Sequence, residues 1–197
     1  MNFLAHIYLS NNQPELQIGN FIADSVKGSN YSSYPSTIQK GILIHRKIDS
    51  FTDSHQIIKD CKRKFTAYGH YSGVITDIVF DHFLAKNWLQ YHTTPLEEFT
   101  HSFYELLENN MEILPLRVQQ FFPVMKKHNW LLKYETIAGI SDILFQMNMR
   151  TRNISKMNYS VIELREHYDY LEAQFTLFFN DLEHFAMSEI EKLTIQK

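Results

Sequence analysis

The sequence predicts an all-α fold, a single-domain helical bundle, on three observations. Only 6 Gly and 5 Pro punctuate 197 residues, so turns are sparse. Between them the apolar residues recur three and four apart, the period of a helix, rather than alternating as a strand does. No two alternating segments flank a turn that would close a hairpin. A chain of this length, read as one domain over residues 1–197, buries about 70% of the surface its unfolded form exposes, and needs no disulfide or structural metal to fold.

Taken in chain order, the pattern predicts helices over 2–10, 15–28, 36–52, 54–68, 73–91, 96–110, 116–132, 137–150 and 159–192. Pro14 suits a first-turn position, Pro35 precedes a Ser36 cap, and Thr94 caps a helix whose first turn carries Pro95, Glu97 and Glu98. The loop Gly-Ser-Asn-Tyr-Ser-Ser-Tyr-Pro over 28–35 and the break over 152–158 are too short to be interdomain linkers. The last helix carries Leu164, Tyr168, Leu171, Phe175, Phe178, Phe179, Leu182 and Phe185 at helical spacing. Such a stripe is core, not a cofactor box.

Composition excludes several classes. No apolar run approaches the roughly 18 residues of a membrane span, and the opening residues carry no basic stretch ahead of an apolar one. The expectation is a cytoplasmic protein that uses no membrane. The net charge of -3 leaves no broad basic footprint for nucleic acid. The charge is unevenly spread, because residues 158–197 hold 3 Lys and Arg against 8 Asp and Glu. In the more basic remainder, Lys59, Lys62, Arg63 and Lys64 form one cluster that could steer an acidic partner or simply be a solvated helix face. The single Cys61 forms no internal disulfide, and its basic neighbours make it either a thiol of lowered pKa or an incidental one on a helix surface.

The residues that carry chemistry lie in the first half. Asn20 and Asp24, His45 and Asp49, and Asp77 and Asp81 are three pairs four apart, with His82 beside the last and His6 on the opening helix. Residues at i and i+4 share a helix face, the spacing by which one helix presents two ligands to one ion. These pairs sit among Ile42, Leu43, Ile44, Ile48, Val74, Ile78 and Ala85. An ionised carboxylate buried there needs cations, hydrogen bonds or water. Two readings stand: a metal site in the bundle core, or polar side chains that satisfy one another. Imidazole with carboxylate oxygen suits Mn, Fe, Zn or Co, and the excess of carboxylates favours Mn or Mg. There is no P-loop, dinucleotide fingerprint, nucleophile elbow or cysteine pair, and no Glu three residues before a His in this region. Hydrolysis by an activated water is the natural chemistry of such a site.

The segments MNFLAH, GNFIADSVKG, GILIHRKIDSFTDSH and DIVFDHFLAKNW resemble, in identity, order and spacing, the acyl carrier protein phosphodiesterases, a family described as atypical relatives of the HD phosphohydrolases. The resemblance covers residues 1–88 with specific motifs and the later helices in length and character. It departs in two places: Asp81-His82 reverses the His-Asp doublet, and Ser25 stands where related sequences more often carry an aromatic residue. The resemblance implies an HD-phosphohydrolase-like helical fold, a divalent cofactor, Mn first, and release of 4'-phosphopantetheine from holo acyl carrier protein. With the spacing argument it makes Asp24, His45, Asp49, Asp77 and Asp81 the expected metal ligands and His6, Arg46 and His82 the expected catalytic groups, with Lys47 a lesser candidate. The acidic carrier would give Lys59, Lys62, Arg63 and Lys64 a purpose as its docking surface. The alternatives are a phosphohydrolase acting on a nucleotide or another small phosphodiester, and a catalytically silent helical binding module.

Overall fold

The computed structural model describes residues 2–195; Met1 of the opening motif, and Gln196 and Lys197, lie outside the described residues. Among those described there are helices and no strands, as the spacing predicts. Helix α1 (Phe3–Tyr8) is followed by α2 (Pro14–Ile22), α3 (Ser36–Ser54), α4 (Gln56–Lys62) and α5 (Ser72–Lys86). Then come α6 (Leu96–Glu108), α7 (Leu116–Lys127), α8 (Trp130–Lys133), α9 (Ile137–Arg150), α10 (Val161–Glu166) and α11 (Tyr168–Ile195). Among the described residues no helix is long and apolar enough to cross a membrane.

The starts of α2, α3, α6, α7 and α9 fall within one residue of expectation, while several ends do not. The second helix stops at Ile22 and tightens into a 3-10 turn over Ala23–Ser25 rather than reaching 28. The helix expected over 116–132 is interrupted because Asn129 adopts a left-handed conformation, φ 44°, and the one expected over 159–192 breaks at His167, φ -110° and ψ 20°. His128 and Asn129 leave the helical region in the first break and His167 in the second, and a period count cannot register so local an event. Pro14 does open α2. Thr94 does not cap α6; its carbonyl accepts the Trp88 indole N–H at 2.7 Å.

The core is one continuous cluster. Helix α11 supplies Leu171, Phe175, Phe178, Phe179 and Leu182, each fully buried, and Phe80 and Phe83 of α5 meet Phe175 with centroids 5.6 and 6.0 Å apart. Burying each such side chain contributes about 1.5–3 kcal/mol, and α5 packs against α1 as α11 packs against α3. Cys61 is part of this core and fully buried, not on a helix surface, and burial pushes its thiol pKa up to about 12. Of the two sequence readings, a thiol of lowered pKa and an incidental thiol on a helix surface, burial overturns the first by raising the pKa and the second by enclosing the side chain.

Candidate metal centre

The site is made possible by two glycines. Where α2 crosses α3, a Cβ on Gly19 would lie 2.2 Å from the Ile38 carbonyl oxygen, and one on Gly41 would lie 2.5 Å from that of Leu16. Only hydrogen permits this approach. It brings the Asn20 backbone carbonyl within 2.8 Å of His45 Nδ1, although the residues are 25 apart in sequence.

Asn20 then orders both imidazoles. Its amide group donates to the His6 carbonyl at 2.7 Å and to Ser10 Oγ at 3.1 Å, which turns its side-chain oxygen toward His6 Nδ1 at 2.8 Å. Both Nδ1 atoms face carbonyl-type oxygens, so both donate, and each ring in its neutral form carries its lone pair on Nε2. His6 Nε2 lies 3.3 Å from Asp49 Oδ1 without hydrogen-bonding geometry, a buried nitrogen with no hydrogen-bond partner. His45 Nε2 lies 3.0 Å from Asp49 Oδ2 and 3.2 Å from Asp24 Oδ1. One atom from each of His6, His45 and Asp49 falls within 4.8 Å of the others, close enough to hold one metal ion. Metal-ligating histidines characteristically donate their second ring N–H to a carbonyl or carboxylate, which fixes tautomer and orientation. This donor set fits a divalent ion.

The electrostatics agree. Burial, and then the adjacent His45, push His6 down to about 4, so it is neutral at physiological pH. Burial opposes charge on His45, but hydrogen bonds to Asp24 and Asp49 outweigh it and raise the pKa to about 9. Asp49 is opposed by burial too, yet the two imidazoles hold it well below the usual carboxylate range. The hydrogen bond from His45 lowers Asp24 as well. Without an ion, one proton on His45 neutralises part of the carboxylate charge.

The remaining expected residues divide by depth. Asp24, exposed, and Asp77, half-buried, line a cavity of about 220 Å³ with His45, Asp49, Thr52 and Asp53. Thr52 Oγ1, buried and without a hydrogen-bond partner, is a polar atom there that no sequence signal marked. Asp81 does not join the group. It is fully buried and accepts from the backbone N–H groups of Asn2 at 3.2 Å and Leu4 at 2.8 Å, supplying acceptors that the first turn of α1 lacks. Its adjacent His82 points elsewhere, with Nδ1 2.7 Å from the Tyr134 carbonyl and Nε2 2.8 Å from the Tyr168 hydroxyl. Arg46 is committed to the loop after α2, donating to the carbonyls of Val26 and Gly28 at 3.0 and 2.8 Å with its guanidinium over the Tyr31 ring. Lys47 is ion-paired to Glu189.

Comparison with known proteins decides the family. The sequence profile described as acyl carrier protein phosphodiesterase matches residues 1–182. A protein of that name from Pectobacterium atrosepticum is 31% identical over 191 residues, covering 96% of this chain and 99% of its own length. The chain belongs to the acyl carrier protein phosphodiesterase family. Its Escherichia coli relative of the same name is 33% identical over 184 residues, covering 91% of this chain and 94% of its own, and that from Yersinia pestis is 31% identical with the same coverage. No solved structure matches the chain.

Family membership makes the chain a phosphodiester hydrolase, and the grouped residues fall in the segments that carry the sequence resemblance. His6 lies in MNFLAH, Asn20 and Asp24 in GNFIADSVKG, and His45 and Asp49 in GILIHRKIDSFTDSH. Asn20 was legible only as one more polar residue at i, i+4 spacing; its role as the clamp on two imidazoles depends on the α2–α3 crossing.

Proposed function

We propose that this protein hydrolyses the phosphodiester that joins 4'-phosphopantetheine to the serine of holo acyl carrier protein, with a divalent ion held by His6, His45 and Asp49 and with Asp24 and Asp77 at the rim. The observation that carries the reading is the pair of stacked imidazoles whose Nδ1 atoms are both occupied and whose Nε2 atoms both face Asp49. A divalent ion at such a site supplies activation of water and neutralisation of developing phosphoryl charge. Two imidazoles with carboxylates suit Mn, Fe, Co or Zn, and Mn is the ion the family resemblance favours.

The chain's own residues have separable parts in this reaction. Asn20 holds both rings in the tautomer that presents Nε2. Asp24, exposed at the mouth, is available to take a proton from the attacking water. The P–O bond to water forms as the P–O bond to the carrier serine breaks, and the serine oxygen takes up a proton. Arg46 and His82, both fully engaged elsewhere, leave that proton to solvent or to Asp24 after it has acted as base.

The carrier's docking is read from the basic cluster. Lys62 pairs with Asp53 at 3.0 Å, and Asp53 lines the metal cavity, so the cluster adjoins the site. Arg63 pairs with Asp60 at 2.7 Å, Lys64 lies over the Tyr170 ring, and Lys59 is exposed.

One observation favours the silent-module alternative: a protonated His45 already satisfies Asp24 and Asp49 without any ion. Mass spectrometry of holo carrier incubated with chelated protein, and again after Mn is restored, decides. Metal-dependent loss of the phosphopantetheine mass is expected. No loss under any divalent ion would overturn the reading in favour of the module, and turnover of nucleotide diesters alone would redirect it to small phosphodiesters.

A further inference from the structure

A second cavity, of about 320 Å³, opens from the metal centre and shares Asp24 and Asp77 with it. It runs from those carboxylates to one face of α9, where Ile143, Gln146, Met147 and Arg150 follow at i, i+3, i+4 and i+7. That spacing lays an apolar strip and two amide or guanidinium donors along the same wall. Phe3, Val74 and Trp130 line it as well. The Arg150 guanidinium sits over the Trp130 ring, 5.2 Å from its centroid. Neither Arg150 nor Gln146 has a carboxylate or hydrogen-bond partner among the described residues, and both are exposed. The volume lies at the low end for a small-molecule site, and the lining sets an apolar strip among polar and charged side chains, Arg117, Lys133 and Asp142 included. This suits a thin, flexible chain in which methylene groups alternate with amides.

We propose that this cleft receives the pantetheine arm, with Trp130, Ile143 and Met147 packing its methylene groups and Gln146 and Arg150 hydrogen-bonding its amide carbonyls. The inference rests on the hydrolytic reading above and deepens it by assigning the two sides of the scissile phosphorus. Of the residues that line the metal cavity, Asp53 pairs with Lys62, whereas Asp24 and Asp77 also line the α9 cleft. The carrier serine therefore leaves toward the basic cluster while phosphopantetheine is retained in the cleft. Gln146 and Arg150 are positioning residues, acting on the arm rather than on the reacting atoms.

Pantetheine, which lacks the phosphate, is the probe that separates this proposal from the chemistry. Titrated into the full-length protein, it is expected to change the emission of Trp130; the other tryptophan, Trp88, is buried, and Trp130→Phe should abolish the response. In the exposed double variant Gln146→Ala, Arg150→Ala the apparent Kd for pantetheine should weaken at least tenfold. KM for holo carrier should rise by a similar factor, with kcat and the Mn-dependent hydrolysis of bis(p-nitrophenyl) phosphate unchanged. A protein that strips holo carrier but whose Trp130 ignores pantetheine, or whose double variant keeps wild-type KM and Kd, overturns the cleft assignment and leaves the hydrolase reading intact. A protein that binds pantetheine at Trp130 yet never releases phosphopantetheine sustains the cleft and overturns the hydrolase.

Discussion

The imidazoles of His6 and His45 stack with centroids 3.9 Å apart and planes 21° from parallel, though they come from α1 and α3. Two rings this close cannot both be cations without strong repulsion: burial lowers the pKa of His6 first, and the His45 cation, which Asp24 and Asp49 keep protonated, lowers it further. The stack exists because Asn20 holds one ring by its side chain and the other by its backbone.

Replacing Asn20 by Leu should therefore release His6 while leaving the backbone hold on His45. Metal affinity, measured by competition with a fluorescent chelator, is expected to fall about 10–100-fold, the usual effect of losing a group that orients a ligand. Unsatisfied groups left at His6 and Ser10 should also cost about 1–3 kcal/mol each in urea unfolding. Unchanged metal affinity in the folded variant would reduce Asn20 to a structural role.

Gly41→Ala tests the helix crossing. The added methyl would meet the Leu16 carbonyl oxygen at 2.5 Å and Gly19 Cα at 2.9 Å, both backbone atoms, so the helices must part. Overpacking of this kind costs about 1–3 kcal/mol. The His45 Nδ1 contact to Asn20 should lengthen, and the metal site should weaken with the fold. Wild-type stability and metal affinity would show that α2 and α3 do not pack this closely in solution.

Metal binding should release a proton. His45 holds one up to about pH 9 in the absence of an ion, and coordination needs its Nε2 lone pair. Below that pH the apparent affinity should climb about tenfold for each unit of pH gained. Calorimetry in buffers of different ionisation enthalpy would measure proton release directly, and a pH-independent affinity between 6 and 8 would remove His45 from the ligand set.

Asp81 gives a separate pH signature, in stability rather than catalysis. Burial raises its pKa from 3.8 to about 7, against the pull of the Asn2 and Leu4 amides. Because the folded value is the higher, its contribution is complete below about pH 3.8 and is lost as pH rises through about 7, amounting to at most about 4 kcal/mol. The stability of wild type relative to Asp81→Asn should thus decline between pH 5 and 8, with metal affinity alike in both. A constant difference across that range would show that Asp81 stays ionised in the fold, and a loss of metal binding would return it to the site.

Reversing Lys59, Lys62, Arg63 and Lys64 to Glu together should raise KM for holo carrier and spare kcat, since a cluster that steers takes no part in the reaction. Screening over about 8–10 Å at physiological ionic strength should shrink the difference as salt is added. Hydrolysis of a small diester should be nearly unchanged. Normal processing of the carrier at low salt would make the cluster a solvated face whose cations serve Asp53 and Asp60 alone.

The sequence by itself determined that the chain is helical and which side chains were available for chemistry, because both follow from local rules. Apolar period fixes helix type, and i, i+4 spacing puts His45 with Asp49 on one face wherever α3 goes. It also placed the α11 aromatic stripe in the core. Tertiary structure decided which of those faces meet. Asp77 and Asp81 share a face by the same count, yet Asp77 reaches the cavity while Asp81, one turn on, is captured by the amides that open α1. His82 and Arg46 are taken by carbonyls of α8–α9 and of the loop after α2, partners distant in sequence. The rank of Asn20 above all of these comes from a helix crossing that two glycines permit, and a contact between two helices is a property of neither helix alone.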